Sequence, residues 1–333
     1  MEYAILGNTG MRVSRVVLGT ATFGIAPLEG EAPALVDRAL ELGINFFNTA
    51  THYGNRKRWD RPGVPPAEQR KSSEEILGNA LKGHRNDVII ATKVGMDVGD
   101  GVNDGGGPKG GGLSRYHIMQ RVEMSLRRLQ TDHIDVYYAQ TPDRITPLED
   151  TLRAFDDLVR QGKVRYFGLS NHAGWKMVEA MWACQRLGLN MPIGQEVQYS
   201  LVRRESEHDV IPVSLEFGQT ITAFSALGGG LLTGMDTLQH RSIATLGGQR
   251  WRLGEGPGFS AEELTAAEKL DALSKEWEVS AAQLALAWLL TRPAVTSALV
   301  GPETMAELEE NAAAADVSLS SDQVEALDAL WPG

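Results

Sequence analysis

Tyr53 and Lys93 are the two residues of this chain whose types suit proton transfer. Tyr53 lies at the end of residues 44–54, Ile-Asn-Phe-Phe-Asn-Thr-Ala-Thr-His-Tyr-Gly. There a short apolar run, Ile44, Phe46 and Phe47, spills into a loop carrying Asn48, His52 and Tyr53. Lys93 stands just beyond a second apolar run, residues 88–91. A free tyrosine has a pKa of about 10 and is a poor acid at neutral pH. A neighbouring ammonium favours the phenolate and lowers that value. Such a tyrosine can pass a proton to a carbonyl oxygen as hydride reaches the carbon.

These residues need a scaffold that brings strand ends together. Residues 4–6 and 12–14 flank Gly7-Asn8-Thr9-Gly10-Met11 and read as an amino-terminal hairpin. Short apolar runs then alternate with helical patterns. The strands fall at 16–18, 44–47, 88–91, 134–139, 164–169, 193–199, 220–224 and 296–300. The intervening helices fall at 32–42, 73–81, 114–129, 147–160, 175–187 and 207–217, with a pair at 261–277 and 281–291. Two more close the chain at 305–315 and 321–330. Apolar runs of this kind suit strands buried on both faces. Eight of them alternating with helices over roughly 300 residues predict a (β/α)8 TIM barrel in one domain spanning 1–333, with long loops on its carboxyl-terminal face. A doubly wound sheet is the second possibility, but no Gly-x-Gly-x-x-Gly follows the first strand. The glycine-rich run at 105–112 lacks a Lys-Ser or Lys-Thr step and reads as a lid.

Composition narrows the partners. A net charge of −11 argues against nucleic acid or an anionic membrane surface. The lone cysteine, Cys184, excludes an intrachain disulfide and a cysteine metal site, and its apolar neighbours place it in the core. There is no leader-like start and no long uninterrupted apolar window, so a cytoplasmic protein acting on a small molecule is expected. Its oligomeric state stays open.

In a barrel, the active site is built from the carboxyl ends of the strands. Those ends carry Asn48 with Tyr53, Lys93, Gln140, Ser170-Asn171, Glu196, Phe224-Ser225 and Gly301. Around them the chain resembles the aldo-keto reductases, in the group that includes the potassium-channel β subunits. The resemblance is carried by residues 18–24, 47–54, 91–93, 125–129, 162–171, 224–234 and 300–311, in the expected order over nearly the whole chain. It implies a nicotinamide dinucleotide across the strand ends. Ser170, Asn171 and the residue at 196 would hold the carboxamide, with Phe224 stacked on the nicotinamide. The loop Ser225, Ala226, Leu227, Gly229 and Leu231 would wrap the pyrophosphate, beside Thr20 and Ala21. Gly301, Glu303, Glu307, Glu310 and Asn311 would cover the adenosine.

Four departures from the family pattern stand out. The family's Asp-Tyr-Lys-His tetrad reads Asn48, Tyr53, Lys93 and Gln140 here, so two ionisable groups are gone. Gln140 can orient a substrate oxygen but cannot relay a proton. Asn48 can bond Lys93 but offers no counter-charge. The Lys93 charge could then act harder on Tyr53, or a buried, unpaired ammonium could lose its proton. Glu196 stands where the family places a glutamine; a one-residue bulge would bring Gln195 there instead. Finally, residues 301–311 hold no basic side chain to meet a 2′-phosphate. The local residues favour NADH, while the family habit and Arg241, Arg250 and Arg252 favour NADPH. His52, Trp59, Arg115 and Trp251, with the insert at 55–71 and the loop at 99–112, are expected to rim a pocket for a polar, sugar-like substrate.

The leading reading is an NAD(P)H-dependent oxidoreductase acting on a carbonyl or alcohol, with Tyr53 as acid or base. The altered tetrad also admits a redox-neutral epimerase, dehydratase or lyase, or a cofactor-sensing regulatory protein.

Overall fold

The computed structural model describes residues 1–60, 62–96, 112–240 and 259–331. The hairpin pairs β1 (Tyr3–Ile5) with β2 (Arg12–Ser14) in antiparallel register, Ala4 opposite Val13. The next eight strands are β3 (Val16–Gly19), β4 (Phe46–Asn48), β5 (Ile89–Val94), β6 (Ile134–Ala139), β7 (Val164–Ser170), β8 (Gly194–Gln198), β9 (Thr220–Phe224) and β10 (Val295–Val300). They close into a parallel barrel in chain order, β10 pairing with both β9 and β3. This is the (β/α)8 barrel with an amino-terminal hairpin that the alternation predicts.

Helices cover the outside: α1 (Ala32–Glu41), α2 (Ser73–Ala80), α3 (Arg115–Leu129), α4 (Leu148–Arg160), α5 (Gly174–Leu187) and α6 (Val210–Phe217). Between β9 and β10 lie α7 (Met235–His240), α8 (Ala261–Trp277) and α9 (Ala281–Leu290); α10 (Met305–Ala313) and α11 (Ser321–Asp328) follow. Their apolar stripes and the outward faces of the strands form the larger core, which includes Phe155, Phe167, Met177 and Trp288. Cys184 belongs to it, and burial pushes its thiol up to about 12, which suits packing and not nucleophilic attack.

A smaller core fills the barrel's lower end. Leu6 and Val13 of the hairpin region pack there with Val17, Phe46, Ala91, Val136, Tyr138 and Ile193. Each fully buried aliphatic or aromatic side chain contributes about 1.5–3 kcal/mol, so the hairpin is a stopper with real adhesion. Its turn comes so close to the barrel that a Cβ on Gly7 would lie 2.9 Å from the Ile193 carbonyl oxygen.

Some boundaries differ from the sequence reading. Strand β4 starts at Phe46, because Ile44 donates its N–H to the Ala39 carbonyl and completes the exit from α1. Strand β5 ends at Val94, one residue past Lys93. The 207–217 helix divides into a 3₁₀ turn, Glu205–His208, and α6.

Candidate active site

A cavity of about 480 Å³ opens at the carboxyl ends of the strands. Every site residue expected from the sequence lines it except two. Lys93 lies beneath its wall, and Leu231 turns into the larger core. The register puts these side chains together. Asn48 pairs with Gly19 and Ala91, Lys93 with Tyr138, and Glu196 with both Ser170 and Thr222.

The polar centre is a chain of four side chains. Lys93 is 1% exposed, and its Nζ lies 3.4 Å from the Tyr53 hydroxyl. The same nitrogen donates to the Thr49 carbonyl at 2.9 Å and to Asn48 Oδ1. It also faces Glu196 Oε1 at 3.3 Å, while Asn48 Nδ2 donates to Glu196 Oε2 at 2.7 Å. Lys93 therefore has a carboxylate partner, contrary to what Asn48 alone implied. At an effective dielectric of about 20, a contact of this length carries roughly 5 kcal/mol of attraction. Burial pushes the Lys93 ammonium towards losing its proton, but Glu196 and Tyr53 outweigh it and hold its pKa above the usual lysine value.

Glu196 reaches this place without any bulge. Strand β8 keeps regular register with β7 and β9. Gln195 points outward, accepting from the His172 N–H at 3.1 Å and donating to Met177 Sδ. The alternation of strand faces decides it, and the shifted register that would restore Gln195 is excluded.

Gln140 follows β6, next to the strand that carries Lys93, and lines the same cavity. Its Nε2 lies 3.5 Å from His52 Nε2, and its buried Oε1 has no hydrogen-bond partner among the described residues. The Gln140 backbone carbonyl accepts from Asn171 Nδ2 at 2.9 Å, and Ser170 Oγ accepts from the same nitrogen at 3.1 Å. Asn171 is thereby fixed in the left-handed region, with φ of 58°. Its amide hydrogens serve the wall of the site, so Ser170 is the hydroxyl donor left facing the cavity.

The loop carrying His52 and Tyr53 is held from behind. Gly54 adopts φ of 90°, and a Cβ there would come within 2.8 Å of the Ser73 nitrogen. Arg70, almost fully buried, donates to the Gly54, Arg56 and Pro65 carbonyls and pairs with Asp60. Arg128 donates to the Thr51 carbonyl and faces Glu74, which also accepts from Thr92. None of Arg70, Glu74 and Arg128 stands out in the sequence as a site residue. Glu74 reads as an ordinary first-turn carboxylate, and only the position of Arg128 between Ser125 and Leu129 on an inward helix face hints at its role.

Among the expected rim residues, His52 lines the cavity and meets the Tyr53 ring edge-on at 4.6 Å. Trp59 lies 6.3 Å from that ring. Arg115 does not join them; it pairs with Asp157 on the outer surface. Trp251, Arg241, Arg250, Arg252 and residues 99–111 of the glycine-rich loop lie outside the described residues. Gly230 and Thr233, in the 225–234 loop expected to wrap the pyrophosphate, also line the cavity, and Thr22, Met96, Thr237 and Leu299 line it without having been named as site residues.

The far end of the cavity has a different character. After Phe224, Ser225 takes φ of 53°, and Gly228, Gly229 and Gly230 follow with positive φ, curling the backbone around an open trough. Beyond it Glu303, Glu307, Glu310 and Asn311 form the wall, the Glu303 N–H donating to Glu307 Oε2 at 2.8 Å. No lysine or arginine lines the cavity among the described residues. The donor set fits an elongated ligand with an amide at one end and a hydroxyl-bearing group at the other. Glu196 can accept from an amide nitrogen, the Ser170 hydroxyl can meet an amide oxygen, and the acidic wall can accept from hydroxyls. The volume lies within the range of cofactor sites.

A barrel with its ionic cluster and elongated trough at the carboxyl ends of its strands defines a class of cofactor-dependent enzyme. The aldo/keto reductase family model matches residues 15–332. An uncharacterised oxidoreductase, YrpG, of Bacillus subtilis (strain 168) is 36% identical over 336 residues, covering 100% of this chain and 97% of that protein. A probable voltage-gated potassium channel subunit beta of Oryza sativa subsp. japonica is 32% identical, covering 95% and 92%. The versiconal hemiacetal acetate reductase of Aspergillus parasiticus is 31% identical, covering 100% and 99%. The chain belongs to the aldo/keto reductase family, and it is an NAD(P)-dependent oxidoreductase. No helix among the described residues is long and apolar enough to cross a membrane.

Proposed function

We propose that this enzyme moves hydride between a nicotinamide cofactor and a carbonyl or alcohol of a small, polar, sugar-like substrate, with Tyr53 as the acid or base. One observation carries the reading: the Tyr53 hydroxyl lies at the cavity wall, 3.4 Å from a buried ammonium. The bound nicotinamide supplies the hydride. Tyr53 hands its phenolic proton to the carbonyl oxygen, and the Lys93 charge eases that loss by stabilising the phenolate. Gln140 and His52 orient the oxygen by hydrogen bonding. Ser170 and Glu196 hold the carboxamide, and Phe224 stacks beside the ring.

The cofactor is NADH in this reading. A 2′-phosphate would meet the carboxylates of Glu303, Glu307 and Glu310, which repel it, whereas a free ribose hydroxyl can donate to a carboxylate. The expected site of action is the cytoplasm. A purely regulatory role has less support, because the buried ionic chain around Lys93 is intact; a redox-neutral reaction would use the same residues, and net consumption of cofactor with turnover excludes it. The test is to mix the protein with NADH or NADPH and follow cofactor absorbance across ketoses, aldehydes and sugar ketones. Oxidation of NADH by a member of the panel supports the reading. Silence with both cofactors across the panel sinks it, and tighter binding of NADPH sinks the NADH preference alone.

A further inference from the structure

We infer that Glu196 is the counter-charge of the Tyr53–Lys93 pair, a positioning residue that supplies from β8 the carboxylate absent at position 48 on β4. This rests on Tyr53 being the proton carrier, as proposed above.

The geometry works only as a pair of exchanged residues. Asn48 presents its carbonyl oxygen to Lys93 and its amide nitrogen to Glu196, so one side chain bridges the cation and the anion. An aspartate at 48 would put a second carboxylate against Glu196 in a buried site, where each anion disfavours the other's ionisation. A glutamine at 196 beside Asn48 would leave the buried ammonium with no anionic partner in this cluster. Each residue makes sense given the other.

The surroundings of Lys93 support one carboxylate acting alone. From β4 comes Asn48, and from the following loop come the Thr49 carbonyl and Tyr53. Strand β8 brings Glu196. From β6, Tyr138 stands opposite Lys93 in register, and burial with the nearby Glu196 charge keeps its phenol protonated. His52 lies further off, against Gln140. The only anion that meets the ammonium among the described residues is Glu196.

Glu196 also lines the cavity, between the strands that bear Ser170 and Thr222. A donor placed on this wall by a bound ligand draws on the same oxygens that hold Lys93 charged. Ligand binding at the β8 wall and the charge of Lys93 beside Tyr53 are therefore coupled through one side chain.

The test uses the whole, ligand-free protein. Titration of the Lys93 side chain by heteronuclear NMR gives its midpoint in wild type, Glu196→Gln, Asn48→Asp and the double variant. Glu196→Gln is expected to lower the midpoint by about one to three pH units. Asn48→Asp is expected to raise it, and the double variant, with the charge moved back to β4, to return it to the wild-type value. No shift in Glu196→Gln, or no return in the double variant, overturns the inference. Should Glu196→Gln fail to fold, Glu196→Asp retains the charge but withdraws it, and must lower the midpoint by a smaller amount; an unchanged midpoint there is equally fatal. In turnover, Glu196→Gln is expected to lose at least about tenfold in kcat, with a displaced pH profile, and the double variant to regain it. If the midpoints move as expected but the wild type turns over no carbonyl, the proposed function fails and the counter-charge stands. If the wild type reduces a carbonyl while the midpoints stay put, the counter-charge fails and the function stands.

Discussion

Within the barrel, Phe46, Ala91 and Val136 belong to a dry apolar layer sealed by Leu6 and Val13. Two residues further along β4 and β5 stand Asn48 and Lys93, and two beyond Gly194 on β8 stands Glu196. All of these side chains point inward, because strand faces alternate with a period of two. One pleat, roughly 6.7 Å of strand, separates a layer held by volume from one held by charge. At Gly194 even a Cβ would strike the Thr220 carbonyl oxygen, at 2.1 Å, so the lower layer is packed to backbone contact. The upper layer is ordered by ammonium, carboxylate, amide and phenol, each bonded to the next. The lower layer rigidly fixes the strand ends, and the upper layer uses that rigidity to keep a buried charge pair in register.

The sharpest way to separate the two layers is to remove one oxygen from the upper one. Tyr53→Phe is expected to reduce kcat by about 10²–10⁴-fold while leaving thermal unfolding close to wild type, as initial rates and calorimetry would show. A variant with near-normal rates would mean that the proton comes from elsewhere. The opposite experiment takes volume from the floor. Leu6→Ala is expected to lower the free energy of unfolding by about 2–5 kcal/mol in urea, while kcat below the unfolding transition stays within a few-fold of wild type. A large loss of activity with little loss of stability would show that the floor does more than support the strands.

The same contrast explains which parts of the molecule are legible in the sequence. The floor and the strands are written as local patterns: short apolar runs, period-two alternation, and helices whose caps are visible, such as Ser72 with Glu75. Tyr53, Lys93 and Gln140 announce themselves because they end such runs. The pairing of Asn48 with Glu196 does not, since those residues are separated by 148 positions and meet only when the barrel closes. Asn48 alone suggested an uncompensated lysine; the compensation is a long-range fact. Arg70, Glu74 and Arg128 escaped for a related reason. A charged side chain in a linear sequence looks solvated, and burial against backbone carbonyls has no one-dimensional signature. Leu231 was misplaced because the turn at Gly229 and Gly230 reverses which side chains face the trough.

Along the cavity, the contrast can be sharpened at its far end, where Glu303, Glu307 and Glu310 line the wall. Removing one charge with Glu307→Gln should tighten NADPH binding by about tenfold and change NADH affinity little. Roughly 0.8 kcal/mol per charge pair at 5 Å in water acts on a doubly charged phosphate. Fluorescence titration with both cofactors measures it. Equal changes for the two would show that Glu307 does not face the ribose.

The smallest expected effect concerns a residue between the two regimes. His172 is buried behind the Ser170–Asn171 wall, where its Nδ1–H donates to the Ser170 carbonyl at 2.8 Å. Burial lowers its pKa below the usual 6.5, against a smaller opposing pull from the Ser170 carbonyl, with nearby Lys176 adding to the lowering. The unfolded chain therefore binds a proton that the folded one resists. Its contribution to stability is complete above pH 6.5 and declines as the pH falls from there towards the lowered folded value. The slope from this one group is at most about 1.4 kcal/mol per pH unit. His172→Gln should flatten that limb of the stability–pH curve in urea unfolding, with the wild type and the variant diverging only below the unperturbed histidine range. If the limb stays equally steep in the variant, the acid sensitivity belongs to other groups. The Ser170–Asn171 wall would then be held by packing, like the floor, and not by an uncharged ring that acid can charge.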